Sequence, residues 1–170
     1  MSKLFDPNQP AGQILQDWWL ELIENRGERA ELRRAKSVID AALQPVTIRL
    51  ITRLQSTPTD NQQRLAMIAG LSSHLDPHSE QTILRDPKPL PEKMTTSKGE
   101  RVLVSELRFR RLLRYQSTEE LYRPMIRVLA LLDHRANLFD LAESMYWWGD
   151  RVRKDWAFAY FPNLPHQKTI

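Results

Sequence analysis

Apolar residues in the first 75 positions recur three and four residues apart, which is the spacing of one face of an α-helix. The pattern predicts a first helix from Pro10 to about Ile23, and Gly27 is expected at the C-terminal cap that stops it. Three further helices are predicted in this part of the chain: Glu28–Ala35, Asp40–Leu54 with Asp40 as its N-cap, and Asn61–Leu75.

Residues 76–104 interrupt this periodicity, because four prolines lie between Pro77 and Pro91. Proline disrupts helices, so we expect a long connector with two short helical pieces, Ser79–Leu84 and Pro91–Thr95. The connector separates a predicted N-terminal helical bundle, residues 1–75, from a predicted C-terminal helical bundle, residues 105–170. No strand-like alternation persists, so the predicted fold class is all-α, two small helical bundles joined by a long proline-containing connector.

The C-terminal part contains three predicted helices. The first has Ser105 as its N-cap, and the second begins at the capping box Ser117–Glu120 and runs to about Leu132. The second helix is so apolar in its later part that we expect it to be buried nearly all round. The last helix is predicted over Asn137–Phe161, and a flexible tail is expected after Pro162.

Composition narrows the classes of function. The chain has no cysteine, which excludes disulfides, thiolate metal sites and a cysteine nucleophile. No segment approaches the about 20 apolar residues of a membrane span, and the N-terminus lacks the apolar core of a signal peptide. We therefore expect a cytoplasmic protein with no membrane partner. The net charge is +4, and most of the surplus lies in residues 100–170.

Enzyme and metal chemistry find little support in the sequence. His74 and His78 have the spacing of a helical metal pair, but Pro77 lies between them and no third ligand stands at a suitable distance. Asp133 and His134 are adjacent, but no serine elbow or glycine-rich turn accompanies them. The five glycines are not clustered, so a phosphate-binding loop is absent. We predict no metal, no cofactor and no catalytic residue.

The stretch LRFRRLLRY, residues 107–115, contains four arginines and no acid. On a helical wheel, one arc holds the apolar side chains Phe109, Leu112 and Leu113. The opposite arc holds Arg110, Arg111 and Arg114, and Arg108 lies at its edge. Guanidinium groups stay charged and bind phosphate through several N–H donors, so this face is a candidate for a nucleic-acid backbone. The alternative is an ordinary solvated helix face.

Three basic clusters stand on three predicted helices. The first cluster is Arg33 and Arg34, the second is Arg108, Arg110, Arg111 and Arg114, and the third is Arg151, Arg153 and Lys154. Trp147 is placed beside the third cluster, where its ring can stack on a base or pack against a partner protein. The first cluster also suits the dipole at a helix C-terminus.

No base-reading motif accompanies these clusters, so we predict binding to the nucleic-acid backbone rather than sequence readout. The alternative function is a helical adaptor whose arginines pair with acidic surfaces of a partner protein.

Three segments in this order resemble the CasB family, the small subunit of the type I-E CRISPR Cascade complex: RGERAELRRA (26–35), SELRFRRLLRY (105–115) and MYWWGDRVRKDWAFAYF (145–161). The resemblance implies a non-catalytic all-α protein of two helical bundles. It also implies its partners, which are the crRNA-bearing backbone subunits and the large subunit of Cascade, a second copy arranged head to tail, the crRNA and the target DNA.

The resemblance further implies which side chains hold the target DNA and the displaced strand of the R-loop. The family's basic positions fall on Arg33, Arg34, Arg108, Arg111, Arg114, Arg151, Arg153 and Lys154. Asp150 departs from the pattern, because relatives also carry a basic residue there. Base pairing with the guide selects the sequence in such a complex, so the protein needs no base-reading side chains.

Overall fold

The computed structural model of the chain describes residues 3–165 and is built almost wholly of helices, which confirms the all-α prediction. Those residues form eleven α-helices: α1 Pro10–Glu24, α2 Arg26–Arg33, α3 Val38–Ala42, α4 Pro45–Leu54, α5 Gln62–Ser72, α6 Glu80–Arg85, α7 Leu90–Met94, α8 Glu106–Leu112, α9 Thr118–Leu131, α10 Leu138–Tyr146 and α11 Asp150–Tyr160. Two short strands, β1 Ser97–Lys98 and β2 Arg101–Val102, pair antiparallel, and a 3-10 helix, Phe161–Asn163, follows α11.

Helix α5 lies at the centre of the fold. Every residue from Leu65 to Ser72 is buried, because α2, α3, α4, α9 and α10 all pack around it. Trp19 of α1 donates its indole N–H to the Ser72 carbonyl at 3.2 Å. A helix surrounded in this way has no polar face over most of its length, which explains why its apolar residues are not confined to one stripe.

Helix α9 approaches α5 closely at Gly70. A Cβ at this position would lie 2.3 Å from the phenol oxygen of Tyr122, so any larger residue would collide with that ring. Tyr122 is fully buried, burial raises its pKa to about 12, and its hydroxyl donates to the Ala35 carbonyl at 3.4 Å. The absent side chain of Gly70 therefore allows α9 to pack against the centre of the molecule.

The segment 76–104 contributes several side chains to the core. Its fully buried side chains are Ile83, Leu90, Met94 and Val104. The Leu90 N–H donates to the Asp140 carboxylate at 2.8 Å, which fixes the start of α7 against α10. The two predicted helical pieces appear as α6 and α7, with starts one residue from those expected. Buried residues from all parts of the chain form one continuous core, and the division into two bundles stays a prediction.

The β1–β2 hairpin differs from the expectation that the chain forms no strand. Its turn contains Gly99, whose φ of 65° lies in the left-handed region that glycine adopts without strain. The strands are two residues each, which is too short to show the alternation from which a strand is recognised.

The boundary between α1 and α2 differs from the prediction. Gly27 does not cap α1, because it lies inside α2. Asn25 separates the two helices, and its side-chain oxygen accepts the Glu28 N–H at 3.1 Å. Asparagine is a favourable N-cap, so Asn25 begins a new helix where the glycine suggested only an end.

The predicted helix Asp40–Leu54 is two helices, α3 and α4. Ser37, and not Asp40, caps α3 by accepting the Asp40 N–H at 3.1 Å. Pro45 is the first residue of α4. Proline is favoured at this position because it has no N–H to satisfy there, so the chain can turn immediately before it.

The predicted helix Asn137–Phe161 is also divided. Helix α10 ends at Tyr146 and α11 begins at Asp150, with an extended backbone at Gly149 between them. The flexible tail predicted after Pro162 falls mostly beyond residue 165, outside the described residues.

Helix α9 begins as predicted, since Ser117 accepts the Glu120 N–H at 3.2 Å. The expectation that α9 is buried nearly all round is wrong, because Arg123, Arg127 and Ala130 are exposed along one side. The buried face of this helix therefore leaves a basic stripe toward solvent.

Candidate nucleic-acid interface

Helix α8 carries the second cluster on its solvent face. Ser105 accepts the Arg108 N–H at 3.3 Å and starts the helix. Phe109 and Leu112 are buried and Leu113 is half-buried, as the helical wheel predicts. The four arginines of the cluster are exposed: Arg108, Arg110, Arg111 and Arg114.

Aromatic packing holds α8 against the end of α11. The rings of Phe109 and Tyr160 are stacked, with centroids 3.8 Å apart and planes 9° from parallel. Phe161 meets Phe109 edge to face at 5.6 Å. The Tyr160 hydroxyl donates to the Val104 carbonyl at 2.7 Å, so the residues just before α8 are held as well. These contacts place the second and third clusters on neighbouring helices.

A cation from the central helix maintains the bend between α10 and α11. One guanidinium nitrogen of Arg64 in α5 donates its N–H groups to the carbonyls of Tyr146 and Trp148, at 2.7 and 2.8 Å. Trp148 is buried and donates its indole N–H to the Tyr115 carbonyl at 2.8 Å. Trp147, between these two anchored residues, is 53% exposed. The predicted site residue Trp147 is therefore presented to solvent by a bend that its neighbours hold.

The third cluster contains one structural arginine and two exposed cations. Arg153 is half-buried, pairs with the Asp150 carboxylate and donates to the Leu113 carbonyl at 3.2 Å. It thus links α11 to the end of α8. Arg151 and Lys154 are exposed and have no salt bridge within residues 3–165.

The second cluster is mostly unpaired among the described residues. Arg110 lies 3.4 Å from the Glu106 carboxylate, and its guanidinium carbon lies 4.9 Å from the centre of the Phe161 ring. In the part of the chain that the structure describes, the other three arginines have neither a salt bridge nor a side-chain hydrogen bond: Arg108, Arg111 and Arg114. Their charge is therefore available to an external anion.

The first cluster makes no direct polar or ring contact with the helices that carry the other two clusters, among the contacts of residues 3–165. Arg34 pairs with Glu31 at 2.7 Å, and Arg33 ends α2, which packs on α1 and α5. Among residues 3–165, no hydrogen bond, salt bridge or ring contact joins this cluster directly to α8 or α11. The nearby Lys36 carbonyl accepts the Arg123 side chain at 2.9 Å, which connects this region to α9.

Burial and the cations near the first cluster lower the pKa of His74. Burial, followed by the charges of Arg33, His134 and Arg29, lowers the pKa of His74 to about 4. The imidazole is therefore neutral at neutral pH. His134 lies with its Nδ1 atom 2.8 Å from the His74 carbonyl, in a left-handed turn after α9. This pair of histidines contributes to packing between α5 and the end of α9.

Three arginines outside the predicted clusters have a structural role or an exposed position. Arg64 positions the Trp147 bend, and Arg123 and Arg127 lie on the exposed side of α9. Arg123 and Arg127 are four residues apart on one helix, and this spacing could have indicated a basic stripe. The long apolar run around them favoured a fully buried helix instead.

Within residues 3–165, no group of three or more histidine, aspartate or glutamate side chains is arranged to hold a metal ion. His78 is exposed, whereas His74 is buried, so the sequence pair does not face one common site. Among the described helices, none is long and apolar enough to cross a membrane.

Comparison with known proteins identifies the family of the chain and a solved structure with the same fold. The model of the family described as CRISPR-associated protein Cse2 matches residues 28–161, which confirms the resemblance to CasB, another name of that family. No curated protein matches the chain significantly. A chain in the crystal structure of E. coli Cascade bound to a PAM-containing dsDNA target has the same fold, with a TM-score of 0.65. It is 21% identical, and the match covers 89% of this chain and 94% of that chain.

Proposed function

Because the chain belongs to the Cse2 family of CRISPR-associated proteins, we propose that it is the non-catalytic small subunit of a type I-E Cascade complex. In this role it assembles with the other Cascade subunits, the crRNA and the target DNA, and its basic surface stabilises the R-loop and the displaced strand. The solved structure of similar fold comes from such a complex, with a dsDNA target bound.

The unpaired arginines of α8 carry this proposal. Arg108, Arg111 and Arg114 are exposed without a carboxylate partner in residues 3–165, although exposed arginines commonly pair with nearby acids. Packing of α8 on α11 adds Arg151 and Lys154 to the same part of the molecule. These five cations are exposed and have no salt bridge within residues 3–165, so they can bind the phosphates of a nucleic-acid strand.

A modest binding energy is sufficient for the proposed role. R-loop formation exchanges a DNA duplex for an RNA–DNA duplex of about equal stability, so a few phosphate contacts can shift the balance. The guide provides sequence choice, which agrees with a surface that lacks base-reading side chains.

The experiment that tests the proposal measures how well the assembled complex retains target DNA. Changing Arg108, Arg111 and Arg114 together to alanine should weaken retention about 10-fold, since exposed charge pairs contribute about 0.2–1 kcal/mol each. The control variant changes three exposed bases of the 76–104 segment, Arg85, Lys98 and Arg101, and removes the same charge. Equal retention by the two variants would refute the proposal.

A protein-interaction adaptor is the second candidate function. Three large apolar side chains of α3, α4 and the turn between them are exposed, which is a feature of protein-binding surfaces: Ile39, Leu43 and Ile48. If the arginines of α8 serve such an adaptor, their replacement should release a protein partner and leave DNA binding unchanged. A pull-down of the complex with and without nucleic acid separates the two functions.

A further inference from the structure

The exposed side of α11 contains an aromatic ring within its row of cations. Phe158 is 70% exposed, more than any other large apolar side chain in residues 3–165. It lies four residues after Lys154 and seven after Arg151, and both spacings put side chains on the same helix face. Phe158 therefore lies beside the two exposed cations of the third cluster.

A second aromatic ring continues this row toward α8. Phe161 lies three residues after Phe158, and residues at this spacing are neighbours on a helical surface. Its ring is held from behind by Tyr160 and Phe109, with centroids 5.4 and 5.6 Å away. The guanidinium of Arg110 covers it at 4.9 Å. We call the row Arg151, Lys154, Phe158, Phe161 and Arg110 the aromatic ledge.

The order of groups along the aromatic ledge is informative. A surface that binds only phosphates would need cations but no exposed ring. A surface that binds an apolar protein partner would have other apolar residues around the ring. Here, the exposed ring of Phe158 has Arg151 and Lys154 on one side and the Arg110-covered ring of Phe161 on the other. Aromatic rings flanked by cations are the features with which proteins bind single-stranded nucleic acid, by stacking bases and holding phosphates.

We propose that Phe158 stacks on an unpaired base of a single nucleic-acid strand, while Arg151 and Lys154 hold the adjacent phosphates. This inference rests on the proposed function and goes beyond it, because it gives the surface a preference for single strands. In a duplex the bases are already stacked on one another, so they have no free face for Phe158. Asp155 is exposed at the edge of this face, and it is the acid that a bound strand would have to avoid.

The test compares the full chain with two labelled strands of equal length, an oligothymidylate and an abasic strand that has the same phosphates without bases. The parent protein should bind the oligothymidylate more tightly, by about 5-fold or more, the lower limit for one stacked base. The F158A variant should lose most of this preference and keep the salt dependence of the parent. The F158Y variant, which retains an aromatic ring, should restore the preference.

The matched control is L43A, because Leu43 is as exposed as Phe158 but lies outside the aromatic ledge. Phe158 and Leu43 are both solvent-facing, so neither change should unfold the protein, and circular dichroism verifies this. Equal binding of the two strands by the parent, or an F158A variant that loses only a Cascade protein partner, would overturn the stacking role. If the parent bound neither strand, the proposed function itself would fail.

Discussion

The arginines of α4 differ from most arginines of α8 in what they contact. Arg49 donates to both carboxylate oxygens of Glu28, at 3.0 and 3.1 Å, and Arg53 donates to Glu21 at 2.6 Å. Arg111 and Arg114 of α8 have no such partner in the described part of the chain. Helix α4 contains two arginines and α8 contains three, so the number of arginines alone does not identify an interface. We expect the lack of a carboxylate partner to mark the binding surface.

This difference has a direct electrostatic consequence. A carboxylate beside a guanidinium cancels most of its charge at the distance of a bound strand, and screening by salt removes much of the remainder. An unpaired arginine keeps its full charge until a phosphate replaces its counterion. We therefore expect paired arginines to contribute to stability and unpaired arginines to binding.

The largest effect is expected for Arg64 of α5, whose guanidinium is hydrogen-bonded to two backbone carbonyls. The R64A variant loses two charge-assisted hydrogen bonds to backbone carbonyls, so the free energy of unfolding should fall by about 3 to 5 kcal/mol. The matched comparison is R111A, which removes an unpaired arginine and should change stability by less than about 0.5 kcal/mol. Urea denaturation measures both, and equal losses would contradict the distinction between the two regions.

The next effect concerns acid stability near the first cluster. Because the pKa of His74 is lowered from 6.5 to about 4, the unfolded chain binds a proton at pH values where the folded chain does not. Stability from this group is complete above about pH 6.5 and falls as the pH drops to about 4. The total loss is on the order of 3 kcal/mol at 1.36 kcal/mol for each pKa unit.

The H74F variant removes this titration and keeps a ring in the buried site. Its unfolding free energy should therefore depend less on pH between pH 6.5 and pH 4 than that of the parent. The same pH dependence in both proteins, measured by urea denaturation across this range, would show that His74 is not the responsible group.

The parts of the fold that depend on residues close together in the sequence could be predicted from it. Ser105 and the wheel of Phe109, Leu112 and Leu113 specify α8, because the cap and the apolar spacing act within one or two turns. The break at Trp147 could not be predicted, since the arginine that maintains it lies 82 residues from Tyr146. Long-range packing also explains why the proline-rich segment 76–104 contributes buried side chains such as Ile83 and Met94 to the core.

The candidate site was predictable to a similar degree. The stretch 107–115 contains no acid, which predicts that the arginines of α8 lack partners, and helical spacing predicts that they are exposed. The structural role of Arg153 was not evident, because its carbonyl partner, Leu113, comes from another helix. Arg34 could have been paired with Glu31 from their spacing alone, since residues three apart on a helix are neighbours.

The smallest effect is expected for the paired surface arginines of the N-terminal helices. A double-mutant cycle of R49A and E28A should give a coupling free energy of about 0.2–1 kcal/mol, the range for partly exposed ion pairs. R49A should leave DNA affinity unchanged, since Glu28 already neutralises this arginine. A weaker DNA affinity for R49A, measured by fluorescence anisotropy, would place Arg49 among the binding cations and blur the contrast between the regions.

The salt dependence of DNA binding by the full chain tests the central claim most directly. For the variant with Arg108, Arg111 and Arg114 changed to alanine, the slope of log affinity against log salt should be smaller by about 2 to 3, because each phosphate that an arginine neutralises adds about 0.7 to 0.9 to the slope. The control variant with Arg85, Lys98 and Arg101 changed to alanine should keep the slope of the parent. Equal slopes for the two variants would contradict the assignment of α8 as the nucleic-acid-binding face.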